Sequence, residues 1–373
     1  MATTLKVPYV NLAGQHRALK AELLAAVETV LDRGQFILGP AVGDFESRFA
    51  ALCGVKFAIG VGNGTDAITL ALRALDIGPG CEVITVPNSF VATASAIVMA
   101  GARPVFVDVA DDLNIDPKLV EQAITPRCRA LLPVHLTGRS CDMTALNAIA
   151  ARHGLHVIED AAQAVMAEHQ GKRVGSFGAA GCFSLHPLKT LSACGDGGVV
   201  TTNDPELADR LTVLRNIGLR SRDDCEVWSG NSRLDSLQAA LLLVKLKYVQ
   251  RWTDARRDNA RLYREALGDV PGVTLPPVER PGDRAVYHTF VIQAERRDQL
   301  KAFLMSRGIE TSIHYPVPIH LQRAAAELRY PPGSFPNAER QAGSVLSLPI
   351  YPELTDDQRT LVVESIREFY GVR

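Results

Sequence analysis

Between residues 57 and 160, short apolar runs rich in β-branched residues alternate with segments of helical periodicity. No other feature restricts the fold as much. Residues 57–61, 82–86, 104–107, 130–134 and 155–158 read as strands, and 67–75, 88–99, 117–124 and 143–153 read as helices. Such alternation builds right-handed crossover units, giving an α/β fold with a mostly parallel sheet covered by helices on both faces. Ligands of these sheets bind beyond the carboxyl ends of the strands. Asp160 and the turn Gly62-Asn63-Gly64-Thr65-Asp66 both fall at that edge.

The flanks follow other patterns. Leu19, Leu23, Leu24, Val27 and Leu31 mark a helix over 16–31 with Gly34 as its cap, and a second helix covers 42–52. Beyond the central region, 199–202 reads as a strand and 205–216 as a helix. Residues 218–230 are polar and irregular. Leu237, Leu241, Val244, Tyr248 and Trp252 predict one long helix from 235 to about 267, of the length that commonly bridges two domains. A strand over 287–292, helices over 297–308, 338–345 and 355–370, and a stiff proline-bearing segment over 313–320 predict a smaller α+β domain. The division falls at 1–250 and 251–373. No internal repeat stands out.

With 373 residues, 47% hydrophobic and 22% charged, the chain can bury a sizeable core. Its net charge of −1 offers no electrostatic reason to bind nucleic acid or an anionic membrane. No apolar run approaches a membrane span, and the first residues carry no apolar signal core. The seven cysteines are scattered without a Cys-x-x-Cys pair, and the nine histidines lack metal-ligand spacing. A reducing, cytoplasmic setting without a metal is the expectation.

Three local features carry chemistry. The first is Lys189, set between an apolar strand and the turn Gly195-Asp196-Gly197-Gly198 and preceded by Pro187, which keeps helix away from it. The second is the 62–66 turn between a strand and a helix. A helix start favours an anion, typically phosphate; equally, the turn can be a tight connection with Thr65 as the helix cap. It is neither a P-loop nor a dinucleotide fingerprint, which sets aside a generic dinucleotide-binding protein. The third is Asp160, which either caps a helix starting at Ala161 or pairs with a cation in a site; Gln163 would lie one turn along that helix. One cofactor accounts for the set. Pyridoxal phosphate needs a lysine for its Schiff base, a carboxylate for its ring nitrogen and an anion site for its phosphate. Phe90 offers a flat partner for the ring.

The motifs Gly62-Asn63-Gly64-Thr65-Asp66-Ala67, Val157-Ile158-Glu159-Asp160-Ala161-Ala162-Gln163-Ala164, Phe183-Ser184 with Pro187 and Lys189, Asn231-Ser232-Arg233-Leu234-Asp235 and His314-Tyr315-Pro316-Val317-Pro318 occur in order along nearly the whole chain. In them the sequence resembles the sugar-nucleotide aminotransferases of the DegT/DnrJ/StrS group. The resemblance implies a large domain with a seven-stranded sheet of the aspartate-aminotransferase type plus a smaller C-terminal domain. It further implies that Lys189 carries the cofactor, Asp160 holds its ring nitrogen, Gln163 lies near its ring hydroxyl and Phe90 stacks on it. Gly64, Thr65 and Ser184 would bind the phosphate, joined by Asn231 of a neighbouring subunit in a homodimer. His186, His314 and Tyr315 would face the sugar nucleotide, with Arg222 from the partner chain at its diphosphate.

The implied reaction moves an amino group from an amino acid, L-glutamate by resemblance, to a nucleotide-linked 3- or 4-keto-deoxysugar through pyridoxamine phosphate. Four positions depart from the family's usual residues: His186 and Thr137 stand where Tyr is frequent, Val165-Met166-Ala167 where His-Gly-Ala is, and Ile217 where His or Tyr is. They are expected near the substrate or cofactor. Because Lys189 is present, the chain is not one of the dehydratases that carry histidine there. Two rivals remain: an elimination or cyclisation on an amino-acid substrate, and a non-catalytic regulatory protein that binds the same cofactor.

Overall fold

The computed structural model describes residues 5–372. Its larger sheet has seven strands in the order Phe57–Val61, Gly198–Thr202, Ala180–Ser184, His156–Asp160, Cys128–Leu131, Glu82–Thr85, Arg103–Phe106. Every neighbouring pair is parallel except the two that involve Gly198–Thr202. The strand Phe57–Val61 is antiparallel to Gly198–Thr202, which is antiparallel to Ala180–Ser184, so the first and third run the same way. The carboxyl ends that deliver Val61, Asp160 and Ser184 therefore share one edge. Register sharpens this: Gly198 faces both Val61 and Ser184. A side chain at Gly198 would meet the Asn63 carbonyl at 2.3 Å, so only glycine lets the 62–64 turn close over the strand row.

Apolar side chains cover both faces of the sheet. Ile59, Leu70, Leu72, Ile158, Val200 and Leu211 form one layer, and Phe45, Phe49, Phe183, Leu185 and Leu242 another. The near-continuous apolar strands of the sequence are what a doubly covered sheet requires. A smaller antiparallel sheet, Val273–Thr274, Phe290–Ala294 and Val345–Leu348, packs with Tyr263, Leu300, Val362 and Ile366. Val7 joins this second core through a bridge to Ile309, which fastens the segment around Val7 to the last third of the chain.

Five local expectations are corrected. The helix read over 235–267 is two, Ser236–Leu246 and Val249–Leu267. The chain tightens between them: the N–H groups of Lys247 and Tyr248 bond to carbonyls three residues back, and both side chains reach Glu22. Asn63, not Thr65, caps the helix Gly64–Ala74, its side chain accepting from the Asp66 N–H at 2.8 Å. No helix follows Asp160; residues 161–167 form turns. The 218–230 segment holds a short hairpin, Leu219–Ser221 with Asp224–Cys225, and Val345, read as the end of a helix, opens a strand.

No helix among the described residues is long and apolar enough to cross a membrane. None of their His, Cys, Asp or Glu side chains gather into a group of three or more that could hold a metal ion.

Candidate active site

At the shared carboxyl edge lies a cavity of about 700 Å³. It gathers Gly64, Thr65, Phe90, Asp160, Gln163, Ser184, His186, Lys189, His314 and Tyr315. Arg222 and Asn231 do not line it; both sit exposed on or beside the 219–225 hairpin. Of the four departing positions only His186 lines the cavity. Val165 and Met166 are buried in the apolar layer, Thr137 contributes through its backbone, and Ile217 is exposed just before the hairpin. Within this chain, the other three departing positions do not line the cavity. The motif spacing reported the neighbourhood of the sheet edge but not which side of each strand a residue faces.

Lys189 owes its place to a turn. Its N–H bonds to the His186 carbonyl at 2.8 Å, and the His186 N–H is held by the Ser184 hydroxyl at 3.3 Å. The following loop is anchored from beneath by Lys245, fully buried, whose amine donates to the Ser192 carbonyl at 2.8 Å. Burial lowers the pKa of Lys189, and Asp160 opposes that shift through space.

Asp160 closes the strand His156–Asp160, and alternation sends Glu159 to the other face. Glu159 is a structural carboxylate: it accepts N–H bonds from Gly175, Phe177 and Gly178 at 2.7, 2.7 and 3.0 Å and meets His135 Nε2 at 3.1 Å. The Cys141 N–H donates to His135 Nδ1, so Nε2 carries the proton that Glu159 accepts. Asp160 faces the cavity. Thr93 donates to Oδ2 at 2.8 Å, with Ser89 behind Thr93 at 2.7 Å, and the Ala162 N–H reaches Oδ1 at 3.2 Å. Burial raises its pKa against these bonds and against the charge of Lys189. A carboxylate so placed is suited to a cation brought in from the cavity.

At the helix start Asn63 takes the N–H groups of Asp66 and Ala67, leaving those of Gly64 and Thr65 without an intrahelical partner. A Cβ on Gly64 would come within 2.7 Å of the Ser184 Cβ. Helix start and serine thus adjoin, and the free N–H groups, the helix dipole and a hydroxyl sit together as an anion site.

Phe90 is 53% exposed, and its ring lies 5.6 Å from that of Tyr315. Gln163 accepts the Thr137 N–H at 2.7 Å and reaches the Tyr315 hydroxyl at 3.4 Å. His314 bonds to the Ser347 hydroxyl at 2.8 Å, and burial lowers its pKa from 6.5 to about 4, with Lys189 adding to the shift. A histidine held neutral in the fold takes up its proton more readily when unfolded. Stability is therefore full above pH 6.5 and declines as pH falls towards 4. Thermal melting of the cofactor-free protein between pH 7 and 4.5 should show this decline, and His314→Gln should flatten it. Equal slopes in the two proteins would refute the assignment.

The donor set fits pyridoxal phosphate: a lysine, a buried carboxylate, an anion site beside Gly64 and an aromatic face occupy one cavity. Thr93, Arg256 and His288 also belong to it and were not read from the sequence. Thr93 lies three residues beyond Phe90 at a helix opening, a spacing that places it on the same side. For Arg256 and His288 the sequence offers no such signal.

A family model for the DegT/DnrJ/EryC1/StrS aminotransferase family matches residues 17–367. The chain belongs to this family. Relatives of DegT/DnrJ/EryC1/StrS type include a dTDP-3-amino-3,4,6-trideoxy-alpha-D-glucose transaminase of Streptomyces venezuelae, 47% identical over 99% of this chain and 97% of its own. Another is a protein of Geobacillus stearothermophilus named a pleiotropic regulatory protein, 47% identical over 98% of this chain and 99% of its own. Among solved structures, S. venezuelae DesV in complex with a ketimine intermediate superposes with a TM-score of 0.96 at 47% identity, covering 99% of this chain and 100% of that one. The family and the superposition bear out the α/β fold of the aminotransferase type read from the motifs.

Proposed function

We propose that the protein is a pyridoxal-phosphate-dependent aminotransferase that moves an amino group from L-glutamate to the keto group of a nucleotide-linked keto-deoxysugar. The observation that carries this is the single cavity holding Lys189 opposite a buried Asp160. The 47% identical transaminase supports a sugar linked to a nucleotide diphosphate, aminated at position 3.

When bound, pyridoxal phosphate supplies a carbonyl that primary amines attack and a protonated ring that accepts electron density. The chain does the rest. Gly64 and Thr65 N–H groups with the Ser184 hydroxyl bind the phosphate, and Asp160 keeps the ring nitrogen protonated because an opposite charge favours the charged form. Phe90 covers the ring and Gln163 offers its amide to the ring hydroxyl. Lys189 anchors the cofactor and, once freed, holds or releases a proton at its amine, for which its lowered pKa suits it. His186, His314 and Tyr315 bind the sugar nucleotide.

The reading includes a homodimer in which Asn231 and Arg222 serve the neighbouring subunit's site. Both are exposed and remote from their own cavity. The hairpin that precedes Asn231 emerges beside Arg215, which lines a groove of about 800 Å³ with Phe36, Ile37 and Leu38, all exposed. Trp228, at the hairpin's end, is 87% exposed. Apolar surface of this kind marks an interface. The division at 250/251 fits the same reading, since Arg256, His288, His314, Tyr315 and Tyr351 close the cavity from the smaller part.

A non-catalytic regulator that binds the same cofactor would leave an amino donor unconverted, and an elimination would not turn the cofactor into pyridoxamine phosphate. The near-ultraviolet and visible spectrum of the protein supplied with pyridoxal phosphate, recorded before and after L-glutamate, tests the reading. The band of the lysine-bound cofactor should give way to that of pyridoxamine phosphate while 2-oxoglutarate accumulates. An unchanged band without 2-oxoglutarate would overturn it.

A further inference from the structure

A second cation, Arg256, lines the cavity. Ring neighbours lead there: Phe90 to Tyr315 at 5.6 Å, Tyr315 to His314 at 5.2 Å, and His314 to Tyr9 at 5.8 Å. Tyr9 in turn acts electrostatically on Arg256. Arg256 is only 6% exposed. Its Nη1 is fixed by the carbonyls of Tyr287, His288 and Ile350 at 3.4, 3.2 and 3.4 Å. Its buried Nε has no hydrogen-bond partner among the described residues, and its Nη2 donates to none of them. Glu353 acts on the guanidinium through space but forms no ion pair with it within the described residues.

A clamp on three carbonyls uses one nitrogen. The remaining donors of a desolvated, pre-positioned guanidinium are those that pair with carboxylates. Among the residues lining the cavity, the only lysine and arginine are Lys189 and Arg256. The carboxylates that line it are otherwise engaged or placed: Asp66 is bonded to Asn63 and Ser232, Asp160 to Thr93, and Asp196 lies in the turn beyond Lys189. His288 and His314 are kept neutral by burial. An amino-acid donor brings a carboxylate into this space, and a keto-sugar acceptor brings none at the reacting end. With Lys189 committed to the cofactor, one cation of this chain is left to receive it.

We infer that Arg256 is the subsite for a carboxylate of the amino donor. The assignment rests on the aminotransferase reading above. It separates the two substrates by charge: the donor is held through Arg256, and the sugar nucleotide by other contacts in the same cavity.

A matched pair of probes tests it on the cofactor-loaded protein. Aminooxyacetate and methoxyamine both condense with the cofactor carbonyl and free Lys189, and only the first carries a carboxylate. The spectral change gives both rate constants. In Arg256→Gln their ratio, aminooxyacetate over methoxyamine, should fall roughly ten- to a hundredfold, the loss of one or two charge-assisted hydrogen bonds. Arg256→Lys should recover part of it. An unchanged ratio overturns the subsite, as does a fall in Arg222→Ala that Arg256→Gln does not show. Wild-type protein that responds to neither probe overturns the functional reading and the subsite with it. Should the Arg256 variants fail to fold, a crystal structure of the loaded wild type with maleate decides. A carboxylate on Arg256 supports the subsite, and its absence there refutes it.

Discussion

Lys189→Ala is expected to fold, to melt close to the wild type, and to transfer no amino group. Folding survives because the contact that shapes this turn is the backbone bond from the Lys189 N–H to the His186 carbonyl, which alanine keeps. The side chain itself costs the fold something: burial lowers its pKa, so the charged amine is disfavoured where it stands. Activity fails for two reasons that add. The chain loses its covalent hold on the cofactor, and it loses the amine placed to move a proton across the site. Proton transfer by a positioned side chain alone contributes about 10²- to 10⁴-fold. Turnover with L-glutamate and a keto-sugar acceptor should therefore fall below detection in a routine assay, and the absorption band of lysine-bound cofactor should be missing. A circular-dichroism melt run alongside separates loss of chemistry from loss of fold. Turnover within a few-fold of wild type would sink the assignment of Lys189.

Much of this site was legible because its parts hang on strand ends. A parallel sheet delivers residues to one edge by topology, so reading strands at 57–61 and 155–158 was enough to bring the 62–66 turn and Asp160 together. The register of Gly198 against Val61 and Ser184 adds the serine and the lysine loop, and the glycines there were a fair sign of close backbone approach. What could not be read depends on the third dimension. Asn63 rather than Thr65 caps its helix because the turn's exact dihedrals, not its composition, choose the capping side chain. The break at Tyr248 follows from Glu22, more than 200 residues away, drawing in both Lys247 and Tyr248. Arg256 sits on a strongly polar helix whose charged residues all look alike in sequence; only the packing of 287–288 and 350 against it distinguishes this one. His314 and Tyr315 came to notice through the motif resemblance, whereas their neighbours Tyr9 and His288 carried no comparable sign.

Asp160→Asn should separate catalysis from stability in opposite directions. The substitution is nearly isosteric. The amide oxygen can keep either the Thr93 or the Ala162 bond, and the Ser89–Thr93 hydroxyl pair can reverse its donor sense to meet the new NH₂. What disappears is the negative charge in a water-poor site, where pre-positioned charge is most effective. Removing one such group typically lowers the rate by about 10²- to 10³-fold, and turnover should fall by that much. Stability of the cofactor-free protein should move the other way. Burial raises the pKa of Asp160 above its ordinary value of 3.8, so the folded chain holds this proton more tightly than the unfolded one. With more protons bound in the folded state, stability declines as pH rises through the interval between the two pKa values, and at neutral pH the wild type carries the whole deficit. Asparagine does not titrate and escapes it. Cofactor-free Asp160→Asn should melt above the wild type at pH 7, and lose that advantage at pH 4. Loading pyridoxal phosphate should reverse the order, because a cation now faces the carboxylate in the wild type and an uncharged amide in the variant. Melting curves of both proteins, with and without cofactor, test this directly. A variant of near-normal activity would show that the charge of Asp160 does not serve the ring nitrogen. A variant less stable than wild type without cofactor would show that the Thr93 and Ala162 bonds outweigh the burial of the charge.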